Sequence, residues 1–256
     1  MPTRARVHLH LDEPRLVKTQ DLHFHVCKWL EADERSHKAG SKPFSITPLM
    51  INENSASFDV GLLCDELVER LAASVENDKG QPLAVGHAAG MTDPSRGVEI
   101  VDAAKWQELS DRCQQPMLDQ GDMTWRLHAL TPTFWRAGNV DLLEPRAGSI
   151  IRGLARKWEQ FSPLPLKNPA PRVAIRSSSI KYSSMSWRRN SRRGFVGHLD
   201  LSLEDPDPHR ASQIDVLLSL ADFCGLGSMT PFGFGVAALE RKHQSSRPQP
   251  KQAQPT

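Results

Sequence analysis

Residues 225–235 read GLGSMTPFGFG. Four glycines in eleven residues demand an unusual backbone. Glycine tolerates positive φ, and it lets main-chain N–H groups approach an anion with no Cβ in the way. No Gly-Lys-Ser/Thr follows, so this is not a Walker loop. The glycines come after a helical pattern and before a strand pattern, the reverse of a dinucleotide-binding turn. On pattern alone the loop is either an anion cradle or a tight connection without a ligand.

Working outward, Pro208–Cys224 places Ile214, Leu217, Leu218 and Ala221 on one helical stripe, stopped by Gly225, and Phe232–Leu239 reads as a closing strand. Before them, Thr124–Leu130 alternates, Ser149–Phe161 is amphipathic, and Val173–Tyr182 and Phe195–Leu203 are strand-like. The Ser- and Arg-rich Ser183–Gly194 joins those two strands. The first half repeats the order. Val7, Leu9 and Leu11 alternate with His8 and His10, and Asp21–Ala32 is helical with Asp21 placed to cap. Phe44–Asn52 and Phe58–Leu63 read as strands, Cys64–Val75 as a helix, and a last strand falls between Leu83 and Ile100. Two copies of β-α-β-β-α-β predict an α+β protein of two tandem ferredoxin-like, RRM-like domains, with the glycine loop before the last strand. The expected division is 1–110, a connector near 102–121, 121–240, and a disordered Pro/Gln-rich tail, 241–256.

The 256 residues are 39% hydrophobic and 24% charged, which suits a packed core. No apolar run approaches a membrane span and none reads as a signal peptide. Cys27, Cys64, Cys113 and Cys224 have no CxxC or zinc spacing, so they read as reduced thiols of a cytoplasmic protein and predict no metal site. The net charge of +2 conceals an asymmetry. Up to Leu130 there are 14 basic and 20 acidic residues; from Thr131 onward there are 18 and 10. Gln160–Leu199 holds eight Lys or Arg and no Asp or Glu, which points to a polyanion, and nucleic acid is the usual one.

The order helix, GxGxxxxxGxG, final strand resembles the C-terminal signature of CRISPR-associated RAMP proteins. Three further segments agree. LTPTFW at Leu130–Trp135 with the following DLLEPRAGSIIRGLARKW, and GFVGHLDLSL at Gly194–Leu203, resemble strands and a helix of that superfamily's second domain. SHKAGSKPFSITPL at Ser36–Leu49 resembles a segment of its nuclease branch, the endoribonucleases that process CRISPR repeat transcripts into guide RNAs. The resemblance implies cleavage without metal or cofactor: a ribose 2′-hydroxyl attacks the adjacent phosphate and leaves a 2′,3′-cyclic phosphate and a 5′-hydroxyl. Such chemistry needs a proton acceptor, a proton donor and positive charge at the phosphate. His37 and Lys42 supply residue types suited to it, five positions apart in a polar turn, with Ser36, Lys38 and Ser41 beside them. Many such enzymes carry a tyrosine in the first helix. The corresponding stretch His25–Trp29 has none, which leaves His25 as a second or even the main proton carrier, or as a solvent-facing histidine like His23.

The resemblance also implies how CRISPR repeat RNA is held. Lys181, Arg188, Arg189, Arg192 and Arg193 are expected to contact phosphates, with Trp187 as a stacking platform. Gly225, Gly227, Gly233 and Gly235 are expected to present main-chain donors. Arg152, Arg156 and Lys157 form a second basic stripe. A different reading is a non-catalytic RAMP subunit that binds guide RNA within a CRISPR effector complex and has no use for the His37–Lys42 pair.

Overall fold

Alternation sets the first strand. β1 (Thr3–Leu11) buries Thr3, Ala5, Val7 and Leu9 and turns Arg4 and Arg6 to the opposite face. The computed structural model describes residues 1–31, 41–52, 55–117, 124–166, 172–204 and 207–240. The tail, 241–256, and His37 with its neighbours Ser36 and Lys38 lie outside them.

After β1 come α1 (Thr19–Leu30), β2 (Phe44–Ile46), β3 (Met50–Asn52), β4 (Ser55–Leu62), α2 (Asp65–Asn77), β5 (Leu83–Val85), β6 (Ala88–Thr92) and β7 (Val98–Ala103). β1 lies between β4 on one side and β6 and β7 on the other, and β2 and β3 both pair with β4. This is the split β-α-β order of a ferredoxin-like sheet. α1 buries Leu22, Val26, Trp29 and Leu30. Asp21 caps it from inside the first turn, its carboxylate accepting from the Lys18 backbone N–H at 3.0 Å.

The second lobe follows as α3 (Trp106–Gln114), β8 (Thr124–Thr133), the short hairpin β9 (Trp135–Ala137) and β10 (Val140–Leu142), α4 (Ala147–Phe161), β11 (Val173–Trp187), β12 (Asn190–Leu203), α5 (Pro208–Cys224) and β13 (Ala237–Glu240). Its sheet runs β11-β12-β8-β13, the same order as in the first lobe. Trp106 and Leu109 pack into the second lobe's core, with Trp106 edge-on to Trp158 at 5.0 Å. The chain therefore changes lobes after β7, ahead of the expected boundary at residue 110.

Three other expectations shift. Residues 183–194, read as a segment joining two strands, continue those strands: pairing runs to Trp187↔Asn190, making one long two-stranded ribbon. The closing strand starts at Ala237, because Thr230–Phe232 forms a 3-10 turn. α5 is buried almost all round rather than on one stripe, including Ser212, Gln213 and Ser219. It lies between the lobes, and its Phe223 carbonyl accepts from Ser45 Oγ at 2.8 Å.

The repeat extends to side chains. Arg6 stands in register with Asp59 on β4 and Glu99 on β7; Arg126 stands in register with Asp200 on β12 and Glu240 on β13. Each arginine grips its aspartate with two bonds, at 2.7 and 3.2 Å in the first lobe and 2.7 and 3.1 Å in the second. Two residues on, His8 Nε2 lies 3.1 Å from Glu99 and His128 Nε2 lies 2.8 Å from Glu240. The same quartet thus fastens the central strand of each sheet to both neighbours. Among the described residues no helix is long and apolar enough to cross a membrane.

Candidate functional site

The glycine loop is folded onto itself and onto the end of β8. Leu226 N–H donates to Gly235 O at 2.7 Å, Ser228 N–H to Phe134 O at 2.8 Å, and Gly235 N–H to Pro132 O at 3.1 Å. A Cβ on Gly227, at φ 71°, would stand 2.3 Å from the Phe134 carbonyl oxygen; one on Gly235, at φ 65°, would stand 1.8 Å from Leu226 O. Glycine is required here for close approach in a left-handed backbone. The amides of Gly225, Gly233 and Gly235 are spent on Ala221, Thr230 and Pro132 carbonyls, so these three do not offer the donors expected of them. Among the described residues the amides of Gly227 and of Met229, itself left-handed at φ 64°, have no protein partner.

These two residues border a cleft of about 590 Å³ between the lobes. Ser41 and Lys42 line it from the first lobe; Trp135, Arg136, Arg156, Lys157 and residues 225–232 line it from the second. Among the described residues its lining holds four cations and no carboxylate. Lys42 Nζ donates to Glu31 Oε1 at 2.5 Å, both side chains largely buried at the end of α1. Lys157 Nζ donates to the Cys224 carbonyl at 2.6 Å and so caps the C-terminus of α5. Arg136 lies 3.4 Å from Asp141. Sequence reading missed Arg136, and it named Arg156 and Lys157 only within a second basic stripe, because only the tertiary fold brings β9 and α4 to the loop.

The two histidines of α1 diverge, as a two-residue step on a helix turns them to opposite sides. His23 faces the second lobe: Nδ1 lies 2.9 Å from the Pro231 carbonyl oxygen and its ring 3.8 Å from that of Phe232. Cys27 Sγ, one turn on, lies 3.3 Å from His23 Nε2. Burial, reinforced by the Glu31 carboxylate, pushes that thiol up to about 12, so it stays neutral. His25 instead is buried in the first lobe with Nε2 2.7 Å from the Ala84 carbonyl, and Nδ1 has no partner among the described residues. Desolvation lowers its pKa. It does not line the cleft, and the structure does not join it to Lys42.

The ribbon β11–β12 carries Lys181, Arg188, Arg189 and Arg193 exposed. Arg193 lies over the Tyr182 ring at 4.9 Å and Arg188 over Trp187 at 5.4 Å. Arg192 differs: its Nη1 donates to Asp141 Oδ2 at 2.5 Å, so it ties the ribbon to β10. The ribbon's tip reaches the first lobe, where Arg188 N–H donates to Gln20 Oε1 at 2.6 Å. Trp187 does not stand open as a platform; its ring packs edge-on against Phe232 at 4.3 Å.

The sequence of residues 127–237, from β8 into β13, matches the family model of the CRISPR-associated endoribonuclease Cas6. The match spans the second lobe and the glycine loop. Solved Cas6 structures have the same fold over nearly the whole chain. A Cas6 product complex superposes with a TM-score of 0.73 at 23% identity, covering 93% of this chain and 100% of that one. The product complex of a Thermus thermophilus Cas6 gives 0.77 at 20%, covering 94% and 100%. A Cas6-related protein of Pyrococcus furiosus gives 0.61 at 11%, covering 94% and 100%. No curated protein sequence matches significantly.

Proposed function

We propose that the interlobe cleft binds CRISPR repeat RNA and cuts it without a metal ion. The observation that carries this reading is the lining itself: among the described residues it holds Lys42, Arg136, Arg156 and Lys157, two unspent amides at Gly227 and Met229, and no carboxylate. A polyanion is favoured there by charge and by main-chain donors, whereas a hard divalent cation would want carboxylate oxygens. The Cas6 structures of the same fold include product and substrate-mimic complexes.

In the reaction the ribose 2′ oxygen bonds to the adjacent phosphorus and the bond from phosphorus to the 5′ oxygen breaks. His37, assigned on sequence resemblance, accepts the 2′-hydroxyl proton, and the departing 5′ oxygen takes a proton from solvent. Lys42 and the Gly227 and Met229 amides offset the charge that builds on the phosphoryl oxygens. Lys181, Arg188, Arg189 and Arg193 hold flanking phosphates.

Incubation with end-labelled repeat RNA in EDTA tests this. The expected products are one 2′,3′-cyclic phosphate end and one 5′-hydroxyl end. The pairing of Lys42 with Glu31 favours one other reading, a subunit that holds guide RNA without cutting it. Tight binding with intact RNA would decide for that reading.

A further inference from the structure

Trp135 is the aromatic residue of the cleft lining that is built as a platform. It is the first residue of β9, and its backbone is tied on both sides to one residue of the glycine loop. The carbonyl before it, Phe134 O, accepts from Ser228 N–H at 2.8 Å, and the amide after it, Arg136 N–H, donates to Ser228 Oγ at 3.1 Å. Beneath it Phe134 is wholly buried, edge-on to Phe234 at 5.4 Å. The Trp135 indole lies nearly parallel to Phe195, 21° between planes and 5.8 Å between centroids. Phe195 therefore backs the ring, and Trp135 is half-buried yet borders the cleft. Ser228, which anchors it, lies between Gly227 and Met229, the residues with unspent amides.

We infer that Trp135 is a base-stacking subsite: the unpaired base of the nucleotide whose phosphate meets the Gly227 and Met229 amides lies on the indole. The inference rests on the RNA-binding reading of the cleft. Base stacking on aromatic rings tolerates any base, so the subsite fixes the path of the strand rather than its sequence. A ring already backed by Phe195, on a backbone held on both sides by Ser228, loses little freedom when a base lands on it. It binds substrate and transition state alike, so it acts on affinity and not on the chemical step.

The test pairs protein variants with repeat RNAs carrying one abasic nucleotide at each unpaired position around the cut. At one position the abasic change weakens binding by the wild-type protein about tenfold. The same change costs Trp135→Leu nothing further, since that variant keeps the apolar bulk but has no flat ring. Trp135→Phe keeps most of the penalty. If the abasic penalty at every position is as large in Trp135→Leu as in the wild type, the subsite is overturned while the RNA-binding reading stands. If the wild-type protein binds no RNA, both are overturned.

Discussion

Lys42 Nζ lies 2.5 Å from Glu31 Oε1, at the point where α1 ends and the first lobe meets the cleft. The pair is largely buried, so removal of either partner takes from the other an opposite charge it is bonded to. Glu31→Ala should lower stability by about 3 kcal/mol. Lys42→Ala should do likewise and also slow cleavage by roughly 100-fold at saturating RNA. The double variant should regain much of the lost melting temperature and none of the lost activity. Calorimetry with single-turnover kinetics on the four proteins checks this. Recovered activity in the double variant would make Lys42 a structural residue only.

Gly227 provides a second prediction. Its positive φ and the Phe134 carbonyl 2.3 Å from any added Cβ make it a packing glycine as well as a donor. Gly227→Ala should cost at least about 2 kcal/mol of stability from backbone strain and crowding. Thermal melts measure it; an unchanged melting temperature would show a looser loop than the one described.

The ribbon arginines should separate in a salt series. Removing a cation that sits on phosphate lowers the slope of log affinity against log salt by about 1. Arg188→Ala, Arg189→Ala and Arg193→Ala should each do so. Arg192→Ala should leave the slope nearly unchanged, because Arg192 is already neutralised by Asp141. Filter binding between low and physiological salt distinguishes the two groups.

His25 predicts a pH dependence of stability. Its Nε2–H donates to the Ala84 carbonyl, and a second proton would fall on the buried, unpartnered Nδ1. Desolvation therefore holds the folded pKa below the unfolded value of about 6.5. Between those two values the unfolded chain binds more protons, so stability should fall as pH drops through about 6.5 toward the folded pKa. His25→Gln should flatten that fall. Denaturant midpoints from pH 8 to 5 would show it, and an equal slope in both proteins would refute the assignment.

Periodicity made much of the fold legible. The alternation of β1 and the stripes of α1 and α4 each turn one apolar face to one core, so their patterns survive in sequence. α5 misled because it has a lobe on either side, and burial all round leaves no stripe. The strands of the ribbon at 183–194 were not marked by periodicity for the opposite reason: much of it is exposed and Ser- and Arg-rich. Lys42, which lines the cleft, was singled out by its motif. The cleft residue Arg136 was not, and the place of Lys157 beside the loop was not, because a short hairpin and a helix C-terminus must first fold against the loop. Nor could spacing say which of His23 and His25 would face the second lobe.

A single 2′-deoxy substitution tests the cleavage chemistry most directly. Repeat RNA lacking the 2′-hydroxyl just upstream of the cut should bind the wild-type protein as tightly as the unmodified RNA and remain whole, in EDTA or in magnesium. Cleavage of that RNA at the same bond would contradict attack by the ribose and with it the role given to the cleft.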